Sequence, residues 1–143
     1  MKTVDKGQWV VHRSRAVSFI DGMRLLSDDL TAYAGAVALL AVHATLSLND
    51  AVRILHTGRR GSDADHRAAS GHLKRLCALR RIDEAGVQHL RWLLSHKTDF
   101  AYGDRRVGDD EIKAAVSKAE KFAAWVFRSF PEVAHEDEPG ARS

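Results

Sequence analysis

The stretch LTAYAGAVALLAVHATLSLN, residues 30 to 49, runs for twenty positions without a formally charged side chain. A segment this long and apolar belongs either in the middle of a helical core or in a bilayer. Its Ala, Gly, Thr, Ser, His and Asn content dilutes the apolarity that a spanning helix needs. The expectation is therefore a buried central helix and no membrane partner. The rest of the chain must supply a layer around it. Apolar residues recur three and four apart almost everywhere, and no stretch alternates for long enough to make a strand. The spacing predicts an all-α fold, an up-and-down bundle of four to five helices.

The first helix is expected over residues 9 to 28, with Trp9, Val10, Val17, Phe19, Ile20, Met23 and Leu26 as its apolar stripe. Ser27 to Asp29 break it and can cap the second helix. That helix covers roughly 30 to 57 and is expected to bury Tyr33, Val37, Leu40, Ala44, Ala51 and Leu55. Ala34, Gly35, Ala36 and Ala38 are small enough to admit a close neighbour. GRRGSDAD, residues 58 to 65, reads as a loop. A third helix over about 66 to 81 places Ala69, Leu73, Leu76 and Leu79 inward. Asp83 is the natural N-cap of a fourth helix, which carries Val87, Leu90, Leu93 and Leu94 inward and reaches about residue 101. Gly103 stops it. The last helix starts at Asp109 or Asp110, with Glu111 in a first turn where negative charge suits the dipole, and ends before Pro131.

At 143 residues the chain is long enough for one core and short for two. We expect one domain over residues 1–131 and a disordered tail over 132–143. A net charge of +3 permits a polyanionic partner without demanding one. The lone Cys77 excludes an internal disulfide, a zinc knuckle and a CxxC redox centre. A reducing, cytoplasmic setting fits it, and the charged opening MKTVDKGQWVVHRSR does not read as a signal peptide.

His56, Asp63, Asp65, His66 and His72 crowd one region, yet no HExxH or similar spacing organises them for a metal. Capping by Asp63 or Asp65 is the simpler use, and neither a metal nor another cofactor is expected. His43, Asn49 and Asp50 are polar positions on the apolar second helix; they could project into a dimer cleft, but the favoured expectation is that they hydrogen-bond within the bundle. Arg59, Arg60, Lys74, Arg75, Arg80 and Arg81 are the densest basic content, joined by Arg105 and Arg106. They make either a solvated face or a phosphate-binding groove. Trp92 and Trp125 suit a core or a dimer seam.

Three segments, in order, carry a resemblance. AYAGAVALLAVHATLSLNDAVRILHTG, GSDADHRAASGHLKRL and HKTDFAYGDRRVGDDEIKAAVSKAEKFAAWV together resemble the HEPN family, the higher eukaryote and prokaryote nucleotide-binding domains. The likeness spans roughly residues 17 to 128. It implies a dimeric helical bundle from a toxin–antitoxin, defence or RNA-processing system.

Active members of that family carry an arginine, four to six intervening residues and a histidine, and cut RNA without a metal. A base takes the proton of a 2′-hydroxyl, which attacks the adjacent phosphorus, while a cation steadies the phosphoryl charge. Aligned on Tyr-Gly-Asp, this chain places Lys97 and Tyr102 at those positions. An ammonium still holds phosphate as a point charge, but a phenol with a pKa near 10 is a poor base. A second register pairs Arg91 with His96 as catalytic candidates, and Arg67 and His72 share the same spacing. The resemblance therefore implies a binding module for RNA or nucleotide phosphates, with Lys97, Tyr102, Arg105 and Arg106 lining the site, or for a partner protein. The alternatives are a metal-independent endoribonuclease using Arg91 and His96, and a structural dimer partner of a nucleotidyltransferase or antitoxin.

Overall fold

The computed structural model describes residues 2–3, 5–60, 68–103 and 106–134. Among the described residues five helices make the bundle, α1 (Trp9–Leu26), α2 (Leu30–Thr57), α3 (Ala69–Arg80), α4 (Val87–Tyr102) and α5 (Asp109–Ser129), followed by the single turn α6 (Pro131–Ala134). The all-α expectation holds. A two-residue antiparallel pairing of β1 (Lys2–Thr3) with β2 (Arg59–Arg60) ties the chain start to the end of α2.

Local chemistry explains the helix ends. A 3₁₀ turn, Ser27–Asp29, separates α1 from α2, and the Asp29 carboxylate accepts from the Ala32 amide at 3.2 Å. Gly58 ends α2 in the left-handed region (φ 71°), returning its N–H to Ile54 O. Asp109, Asp110 and Glu111 fill the first turn of α5 as the dipole favours. Asp83 departs from expectation. It accepts from the Ala85 amide at 2.9 Å, bracing the turn before α4, and α4 itself begins at Val87 behind Gly86 with no side-chain cap.

α1 and α2 form an antiparallel hairpin, with Phe19 beside His43 and Gly22 beside Leu40. α5 runs antiparallel to both α1 and α4: Arg24 pairs with Glu120, and Lys118 lies over the Trp92 ring. α2 is the central element, buried almost continuously from Ala41 to Ile54. One part of the core joins α2 to Phe122, Trp125, Val126 and Phe130. The other joins α2 to Leu93, Phe100, Ile112 and Ala115. A fully buried Leu or Phe of this kind contributes about 1.5–3 kcal/mol.

Several expected core positions move. Val10 and Tyr33 are exposed, the latter where α2 kinks (φ −123°, ψ 17°). Nothing lies within 4 Å of a Cβ at Gly35, whereas Ala38, another of the four small residues, is buried along with Ala41 and Ala44. Leu79 is 82 % exposed: it lies about 60–120° around α3 from the inward Ala69, Leu73 and Leu76, and Cys77 takes the inward place. The chain also stays packed past residue 131: α6 buries Val133, and Arg13 donates to the Val133 and Ala134 carbonyls at 2.7 and 2.9 Å. Residues 132–134, assigned to a disordered tail from the sequence, are therefore packed; the rest of that expectation, 135–143, lies outside the described residues.

The helical run Trp9–Thr57 is long and apolar enough, by length and composition, to cross a membrane. In the bundle 44 % of its most apolar window is buried.

Candidate functional site

α4 carries four of the positions singled out in the sequence, and it scatters them. Five residues of helix turn a side chain by about 140°, so Arg91 and His96 leave the helix on different sides. Arg91 lines a cavity of about 330 Å3 with Ser70, Leu94, Ser95 and Thr98. His96 stacks on Trp92, ring centroids 3.9 Å apart and 21° from parallel, with Phe100 at 5.7 Å.

The His96 ring is oriented by its neighbours. Its Nδ1 lies 2.9 Å from the Trp92 carbonyl and 3.0 Å from the Ser95 hydroxyl, which itself donates to that carbonyl. A carbonyl can only accept, so the contact suits the neutral tautomer with its proton on Nδ1 and its lone pair on Nε2.

Lys97 lies at helical spacing from Leu90, Leu93, Leu94 and Phe100, the inward side of α4, and is half-buried. Across the seam it faces His43 of α2, whose pKa is lowered first by burial and then by the Lys97 ammonium. Tyr102 closes α4, but its side chain lies outside the described residues, as does all of Arg105. Arg106 is exposed on the α4–α5 connection.

The basic residues do converge elsewhere. A cavity of about 390 Å3 lies between α2, β2 and α3, lined by Arg53, Thr57, Arg59, His72, Arg75, Leu76 and Leu79. The end of α2 builds it. Gly58 turns the backbone sharply, and the Thr57 hydroxyl donates to Arg53 O at 2.6 Å while accepting from the Arg59 amide at 3.1 Å. Arg59 is thereby placed in the wall of the same cavity as Arg53. From α3, Arg75 donates to His72 Nδ1 at 2.5 Å. A guanidinium has no acceptor, so His72 carries its proton on Nε2. Arg53 is only 4 % exposed. Guanidiniums from three elements thus meet in one concavity, where their planar forks suit phosphate oxygens.

Of the basic residues flagged in the sequence, Arg59 and Arg75 enter this cavity. Lys74 and Arg80 instead approach Glu84 and Glu132, at 3.9 and 3.8 Å. Arg53 and Thr57 were not anticipated. The signal lay in RILHTGRR, an arginine one turn before a glycine stop that is followed by two more.

Asn49 and Asp50 are buried in α2, but Asn49 Oδ1 lacks the expected hydrogen-bond partner among the described residues; His43 keeps one side of its ring against Phe19 and the other open to solvent. Trp125 is a core residue whose indole donates to Asp83 O at 3.0 Å. Among the described residues no group of three or more His, Cys, Asp or Glu gathers as a metal site; Asp63, Asp65, His66 and Arg67 lie outside them.

Comparison with known proteins gives no match: no family model, curated protein or solved structure aligns with the chain.

Proposed function

We propose that this chain is a HEPN-like helical module that binds RNA or nucleotide phosphates without cutting them, acting as a cytoplasmic homodimer. A toxin–antitoxin, defence or RNA-processing system would use it so. The observation that carries the reading is the meeting of Arg53, Arg59 and Arg75 in one cavity with Thr57 and His72. Charge-assisted bonds from arginine forks are among the strongest contacts a phosphate can receive. The separation of Arg91 from His96 around α4 supports binding without cleavage, since the base and the cation would have to serve one phosphodiester. The single Cys77 fits a reducing compartment.

A second reading, a metal-independent endoribonuclease, draws on one feature. His96 is held with its Nε2 lone pair available in tautomer terms, as a general base requires. The cation would then come from a residue other than Arg91.

One RNA assay with and without a chelator tests both readings. The binding reading expects uncut RNA and an affinity that falls steeply with salt. Chelator-resistant cleavage that disappears in His96→Ala would replace it with the second. Absence of salt-sensitive binding would leave a protein-only partnership, with a nucleotidyltransferase or antitoxin.

A further inference from the structure

We infer that the Arg53/Arg59/Arg75 cavity takes a terminal phosphate monoester of a nucleotide or RNA end, in preference to an internal phosphodiester. This rests on the phosphate-binding reading above and specifies its ligand.

The arrangement of charge distinguishes the two. A protein that follows a nucleic-acid backbone spreads its cations along a groove and offers aromatic faces to successive bases. Here α2, β2 and α3 each send a guanidinium to one concavity, and among the described residues its lining includes no Phe, Tyr or Trp. Such a concentration rewards the ligand with the most charge at a single phosphorus. A monoester carries about −1.5 to −2 near pH 7 and three terminal oxygens, against a single charge and two free oxygens for a diester. Arg53 forms a nearly sealed part of the wall, and the exposed Arg59 and Arg75 present their guanidinium groups to an entering phosphate.

The cavity is also too large for phosphate alone. At about 390 Å3 it lies in the range of small-molecule pockets, roughly 300–1,000 Å3. Its remaining wall is apolar, formed by Leu76 and by Leu79, which is 82 % exposed. That exposure has a use if the ribose and base of the end nucleotide lie against it.

The test compares one RNA octamer in three forms, with a 5′-phosphate, with a 3′-phosphate, or with hydroxyls at both ends. Adenosine 5′-monophosphate and adenosine serve as the small probes. At least one phosphorylated octamer should bind about tenfold or more tighter than the hydroxyl form, the effect of one charge-assisted hydrogen bond or more. The monophosphate should bind and adenosine should not. Arg59→Gln/Arg75→Gln, both at exposed positions, should erase the difference while leaving helix content unchanged. Equal affinity for all three octamers would overturn the inference; if that shared affinity still fell in the double variant, the phosphate-binding reading would stand without it. No binding by any octamer or by the monophosphate would remove both.

Discussion

Gly86 lies directly against the indole of Trp125: a Cβ built at position 86 would come within 2.1 Å of the ring. The same indole donates to Asp83 O, so α5 is locked onto the turn that leads into α4. Gly86→Ala forces either the ring or the turn to shift in a packed core. It should destabilise the protein by about 1–3 kcal/mol in urea unfolding. A variant as stable as wild type would show that the contact is looser than described.

Arg13 fixes the end of the chain. It is nearly buried, places its Cζ 5.9 Å from the centre of the Phe127 ring, and donates to the last two carbonyls of α6, those of Val133 and Ala134. Hydrogen bonds to a charged group contribute about 1.5–3 kcal/mol. Arg13→Met should cost roughly that much and raise hydrogen exchange across 131–134 before the rest of the bundle responds. Unchanged exchange there would exclude this anchoring role.

Three histidines make stability depend on pH. Burial is the largest cause lowering the pKa of His12, His43 and His89. Arg15 and Arg60 add to it at His12, Lys97 at His43, and Lys118 and Lys121 at His89. The unfolded chain, with histidines near 6.5, then binds protons that the folded chain refuses. Stability from these groups is full above about pH 6.5 and falls as the pH drops below it. Urea midpoints at pH 7.5, 6.5 and 5.5 should decline in that order, with a shallower decline in His89→Gln. A midpoint that rises toward pH 5.5 would contradict the assignment.

Cys77 is fully enclosed by the core, and burial, with Glu84 and Asp83 nearby, pushes its thiol up to about 11. Only the thiolate alkylates readily. Iodoacetamide at pH 8 should leave the native protein unlabelled and modify it fully in denaturant. Rapid native labelling would place Cys77 at the surface.

Features governed by local chemistry could be read from the sequence. Asp29 as a cap, the loop opening at Gly58 and Glu111 in a first turn each depend on neighbours within four residues. So did the helical period around residues 30–57. Features set by geometry in space could not. Leu79 fits a run of leucines by spacing, but its angle around α3 turns it outward. Tyr33 fits the apolar pattern, yet the kink at its own backbone leaves it exposed. The spacing of Arg91 and His96 satisfies a linear motif while saying nothing about the 140° or so between them on a helix. Arg53 was hidden for the opposite reason, as one polar residue in a buried stretch whose cavity is closed only when α3 packs beside the end of α2.

The binding account reduces to whether the guanidiniums gathered at the end of α2 hold phosphate. The most direct measurement is the affinity for a single-stranded RNA as a function of salt, in wild type and in Arg59→Gln/Arg75→Gln. Each phosphate contact on a single strand contributes about −0.7 to the slope of log affinity against log salt. The account predicts weaker binding and a slope shallower by about 0.7–1.4 in the double variant. An unchanged affinity and slope would contradict it, because the RNA would then be held somewhere other than this cavity.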